Sequence, residues 1–143
     1  MKRHVAELGT AWVRALTAHA SGNHIMTAHL TQVEGMSALN RRRREGTLDA
    51  TQYMQIVDDW VALCTVEYQL VALSPAIVDR CRLVLEAHPL RAYDAVQLAT
   101  AILGNHALIA VEQPPLIFLT ADRRLQEAAV VEGLAVDDPN RYP

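Results

Sequence analysis

Apolar residues recur along this chain at intervals of three and four, interrupted by short runs in which nearly every position is apolar. The first spacing marks one face of a helix, and the second suits a short strand. Residues 7–20 read as a helix with Leu8, Trp12, Ala15 and Leu16 on one face, ended by Ser21-Gly22-Asn23. A strand is expected at 24–27, followed by a long helix over 29–44 that Gly46 closes. The next helix covers 49–64 with Met54, Val57, Val61 and Leu63 as apolar positions, and 68–73 is the second strand. Ser74 and Pro75 suit an N-cap and a first helical residue, opening a helix through Val78, Cys81 and Leu85 that Pro89 breaks. A helix over 91–103 stops at Gly104-Asn105, and 116–119 is an apolar run fit for a buried parallel strand. A last helix spans 122–131, Gly133 caps it, and 134–136 is a terminal strand.

Helices between short apolar strands imply an α/β fold, with a parallel sheet covered on both faces. In such folds chemistry gathers at the carboxyl ends of the strands. Three acids fall at strand ends or in the adjoining helices: Glu34, Asp94 and Asp122.

Each acid also has a structural reading. Glu34 follows Val33 and lies four residues after Leu30, at the edge of the expected buried face. A carboxylate there is costly unless an arginine pairs with it or a metal binds it. Asp94 precedes Gln97 by three residues, which is also a helix-capping pattern. Asp122 sits where a helix dipole favours any acid. Acids brought to one point repel one another, and a divalent cation removes that repulsion. Mg²⁺ and Mn²⁺ prefer oxygen ligands, and such an ion activates water for attack on a phosphodiester.

Composition narrows the field. With 143 residues, 51% of them hydrophobic, the chain fits one domain with a real core. A net charge of −3 argues against coating nucleic acid by bulk attraction, although Lys2 is the only lysine and the remaining cations are arginines. Arg41, Arg42, Arg43 and Arg44 form a run that suits either a solvated helix end or a phosphate contact. Asp58 and Asp59 read as exposed helix surface. Cys64 and Cys81 lie in apolar helical stretches, as reduced core thiols of a cytoplasmic protein would. No apolar run follows Met1-Lys2-Arg3-His4, so no signal peptide and no membrane association are expected. The six histidines show no zinc spacing, Ser21, Ser37 and Ser74 occupy no nucleophile elbow, and a nucleotide-binding reading lacks its glycine-rich loop.

Three stretches carry a family resemblance: Thr27-Ala28-His29-Leu30-Thr31-Gln32-Val33-Glu34, Leu90-Arg91-Ala92-Tyr93-Asp94-Ala95-Val96-Gln97-Leu98-Ala99, and Phe118-Leu119-Thr120-Ala121-Asp122-Arg123-Arg124-Leu125. In this order they resemble the second, third and fourth motifs of PIN domains of the VapC toxin type, and the ending from Gly133 to Asn140 is similar to that of many members. The resemblance implies a PIN-like three-layer α/β/α sandwich with a mostly parallel sheet. It also implies a metal-dependent endoribonuclease acting as the toxin of a type II toxin–antitoxin pair. Glu34, Asp94 and Asp122 would be the catalytic, metal-binding acids for Mg²⁺ or Mn²⁺, and Thr120 a polar helper. Arg41, Arg42, Arg43 and Arg44 would contact the RNA backbone. A small antitoxin and a homodimer are the implied partners. The chain departs from the family at its start. Residues 1–9 resemble the helix and turn after the family's first, central strand, so that strand and its aspartate have no counterpart. Residues 1–143 thus read as a single, N-terminally incomplete PIN-like domain with doubtful activity. The alternative is a non-catalytic PIN-like protein-interaction module.

Overall fold

Short strands and longer helices alternate in a computed structural model that describes residues 8–142. In chain order they are α1 (Thr10–Leu16), β1 (Ile25–Ala28), α2 (Leu30–Arg44), α3 (Ala50–Ala62), β2 (Tyr68–Val71), α4 (Pro75–Ala87), α5 (Ala92–Ala110), β3 (Ile117–Leu119), α6 (Arg123–Val131) and β4 (Ala135–Asp137). A π-helical turn, Leu63–Glu67, joins α3 to β2. The expected start of the first helix at Glu7, and most of residues 1–9, lie outside the described residues.

Local chemistry explains most boundaries. Gly46, at φ 70°, ends α2 in the left-handed conformation: its N–H donates to the Arg43 carbonyl and that of Thr47 to the Arg42 carbonyl. Asp49 and Gln52 form a reciprocal capping box at α3, and the Ser74 hydroxyl accepts the Ile77 N–H ahead of Pro75 at α4.

The strands form two separate parallel pairs. Ile25 to Ala28 lie beside Tyr68 to Val71, and Ile117 to Leu119 beside Ala135 to Asp137. Leu39, Tyr53, Trp60 and Cys64 form a core between the α2–α3 hairpin and the first pair. Val84, Leu98, Ile102, Leu125 and Ala129 form a larger core of α4, α5 and α6, against which Phe118 and Val136 pack. Ile77, Cys81 and Ala99 join α4 to α5. The fold is thus mixed α/β with short parallel strands.

Several expectations need correction. Helix α5 does not stop at Gly104-Asn105 but continues to Ala110. A Cβ on Gly104 would stand 2.4 Å from Met26 Cε, the flexible tip of a β1 side chain, so this glycine leaves room for that side chain inside the helix and does not end it. Buried Asn105 accepts the Leu116 N–H at 3.0 Å and so anchors the chain entering β3. The apolar run of β3 is only half covered, with Phe118 turned to the core and Ile117 62% exposed. Leu8 is exposed, and so are Met54, Val61, Val78 and Leu85, the last four because α3 buries Tyr53 and Trp60 and α4 buries Ile77 and Val84 in their place. Cys64 and Cys81 are buried free thiols, as expected.

Candidate metal centre

Asp122 follows β3 and forms the N-cap of α6. Its Oδ1 accepts the N–H groups of Arg124 and Leu125, at 2.8 and 3.2 Å, so the cap uses a single carboxylate oxygen. Thr120 shapes the turn: its hydroxyl accepts the Asp122 N–H and its carbonyl accepts the Gln126 side-chain amide. Asp94 lies in the first turn of α5, but Arg91 and not Asp94 is the N-cap. The capping explanation for Asp94 and Gln97 therefore falls, since Gln97 spends its amide elsewhere.

Asp94 and Asp122 line one cleft of about 510 Å³, together with Arg91, Arg123 and Arg124. Burial pushes the Asp94 carboxyl above its ordinary value, the Asp122 charge adds to the rise, and Arg91 opposes it. Asp94 is thus a half-buried acid with the exposed Asp122 carboxylate beside it.

Glu34 stands apart from this cleft. It is exposed, so the expected desolvation at the edge of a buried face does not arise. The buried face of α2 is instead Gly35 and Leu39, with Gly35 pressed against the Trp60 ring. Glu34 is nonetheless coupled to Tyr93, the residue beside Asp94. Burial pushes the Tyr93 phenol up to about 12, and a hydrogen bond with Glu34 and its charge contribute to the rise. Among the described residues, no three His, Cys, Asp or Glu side chains stand close enough to hold one ion. Of the three acids, Asp94 and Asp122 share the cleft and Glu34 lies outside its lining.

Between Glu34 and the cleft lies a polar network that the sequence reading missed. The Thr27 hydroxyl and the Ala28 N–H donate to Gln97 Oε1, at 3.1 and 3.3 Å. Gln97 Nε2 donates to the Thr31 hydroxyl and to the Tyr93 hydroxyl, each at 2.6 Å. The available signal was Tyr93 and Gln97 at helical spacing, together with Thr27 and Thr31 on either side of the β1–α2 junction, inside otherwise apolar stretches.

The arginine run lies elsewhere. Arg41, Arg42, Arg43 and Arg44 fill the last turn of α2, roughly 10–15 Å along the helix from Glu34. The Arg43 guanidinium sits over the Tyr53 ring, 4.7 Å from its centroid. The arginines that line the cleft, Arg91, Arg123 and Arg124, sit beside Asp94 and Asp122 in sequence, and Arg123 Nε pairs with Glu127 at 2.9 Å. No helix among the described residues is long and apolar enough to cross a membrane. Set against protein-family models, curated proteins and solved structures, the chain matches none of them.

Proposed function

We propose that the chain is a metal-dependent endoribonuclease of PIN type, the toxin partner of a small antitoxin. The observation that supports this most is the meeting of Asp94 and Asp122, 28 residues apart in sequence, in one cleft bordered by three arginines. Asp94 and Asp122 would hold Mg²⁺ or Mn²⁺, with Glu34 as a third, outer acid. Bound there, the ion would supply an activated water and charge neutralisation at the scissile phosphate. The chain's own groups do the rest. Arg91, Arg123 and Arg124 bind the phosphodiester backbone and orient it over the aspartates. The Asp122 cap keeps that carboxylate fixed at the mouth of α6. Thr120 supports the turn through its bond to the Asp122 N–H. In this reading the two strand pairs belong to a PIN-like three-layer sandwich, and the protein works as a cytoplasmic homodimer.

Cleavage of a structured RNA by the full chain in Mn²⁺ tests the proposal. Asp94→Asn is expected to reduce the rate at least roughly 100-fold. Full activity in that variant would refute the assignment.

The distance of Glu34 from the cleft favours one second reading, a non-catalytic PIN-like interaction module. Calorimetric titration separates the two: an intact fold that takes up no Mn²⁺ identifies the module.

A further inference from the structure

An aromatic pair sits at the carboxyl end of β4. Tyr142 follows the 3₁₀ turn Pro139–Arg141, and its ring stacks on Trp12 of α1, with centroids 4.2 Å apart and planes 2° from parallel. Local geometry holds the pair in place. Gly9, at φ 82°, lets the start of α1 approach this turn, since a Cβ there would clash with the Pro139 carbonyl oxygen. The Tyr142 hydroxyl donates to Asp137 Oδ2 at 3.0 Å, which fixes the ring's direction. The Asp137 carbonyl accepts the Thr120 N–H at 3.2 Å, and the Thr120 hydroxyl accepts the Asp122 N–H at 3.1 Å. Successive hydrogen bonds thus run from the Tyr142 ring to a residue that lines the cleft.

A contact that only fastened α1 to this turn would gain most by covering both rings. Tyr142 instead stays 37% exposed although Trp12 covers one face of its ring, which leaves the side away from Trp12 open. A fixed, flat, half-covered ring is the surface on which a nucleobase stacks, since every base has a π-face. Exposed Arg141 adds a cation next to it in sequence, suited to the phosphate that such a base carries. We propose that Tyr142, backed by Trp12, is a stacking platform for one base of a single-stranded RNA whose backbone enters the Asp94–Asp122 cleft. The inference rests on the RNA-cleaving reading above and adds to it a base-binding subsite outside the cleft lining. A lone ring reads no hydrogen-bonding edge, so it favours purines over pyrimidines through stacking alone.

The test measures binding of short oligoadenylate and oligouridylate to the full chain in metal-free buffer, where no cleavage depletes the ligand. The wild type is expected to hold oligoadenylate several-fold more tightly than oligouridylate. Tyr142→Ala should weaken oligoadenylate binding roughly tenfold and erase that preference. Tyr142→Phe keeps the ring and loses only its bond to Asp137, so it should stay within about threefold of wild type. Melting temperatures check that each variant is folded. Equal affinity of the wild type for the two oligomers overturns the proposal with no substitution needed. Wild-type affinity in a folded Tyr142→Ala also overturns it, as do equal losses in the two variants. Oligoadenylate held through Tyr142 but left intact once Mn²⁺ is added instead overturns the nuclease reading and leaves the platform standing.

Discussion

Asp94 pays an electrostatic penalty that its neighbours only partly offset. Burial and the Asp122 charge both favour its protonated form, against the opposing effect of Arg91. The native state therefore holds this proton more tightly than the unfolded chain does. Stability from this group is present below the ordinary value of 3.8 and is lost as pH rises through the raised native value. Without metal, Asp94→Asn is expected to raise the melting temperature at pH 7 by about 1–3 °C. That gain should vanish in acid below 3.8, where both side chains are neutral. A calorimetric series across pH reads it directly, and a lower melting temperature for the variant at pH 7 would contradict the electrostatic account. At this scale the sequence singled out Asp94, Asp122 and Glu34, but the burial expected beside Glu34 is not found. Leu30 and Val33 were read as flanking a buried face, yet they are 40% and 64% exposed. Apolar character suggested burial where a glycine and a tryptophan had already filled the contact.

Within the elements, the same contest recurs. Gly35 interrupts α2, where alanine would ordinarily be favoured by about 1 kcal/mol. A Cβ there would meet the rigid Trp60 ring at 2.2 Å, so Gly35→Ala is expected to destabilise by about 2 kcal/mol or more against its propensity. Urea unfolding decides the sign. Helices α3 and α4 show why element positions were easier to read than their orientation. Each carries two adjacent apolar stripes, so periodicity located the helix but left its rotation open. The choice fell to Tyr53 and Trp60 in α3, and to Ile77 and Val84 in α4. Capping signals were clearer, since the Ser74 hydroxyl, the Pro75 ring and the Gly46 backbone act within their own turns. Gly104-Asn105 misled because a close approach and a buried amide acceptor use the residues that otherwise end helices.

Across the molecule, α4 and α6 are tied by a small polar clasp. Glu132 accepts from the Arg80 guanidinium and bonds His88 Nε2 at 3.0 Å, with all three side chains largely covered. Among the described residues the covered Arg80 Nε finds no hydrogen-bond acceptor, so Glu132 is the main compensation for that partly buried cation. Glu132→Ala is expected to cost about 3 kcal/mol, seen as a drop of roughly 10 °C in melting temperature. Glu86→Ala, which breaks an exposed Arg82 pair, should cost less than about 0.5 kcal/mol. Similar losses for both variants would remove the distinction. Nothing in the sequence pairs these three residues, because they are brought together only by the packing of two helices on α5.

The mixed α/β class followed from alternating periodicities, but the division into two strand pairs did not, since spacing along a chain says nothing of which edges meet. That division has a mechanical consequence. Asp122 rides with the second pair, and Asp94 with the rod on which both pairs are seated. The gauge of their shared mouth is thus set by how one saddle sits on α5, and a slight roll of that saddle would respace the two carboxylates without breaking a single strand bond.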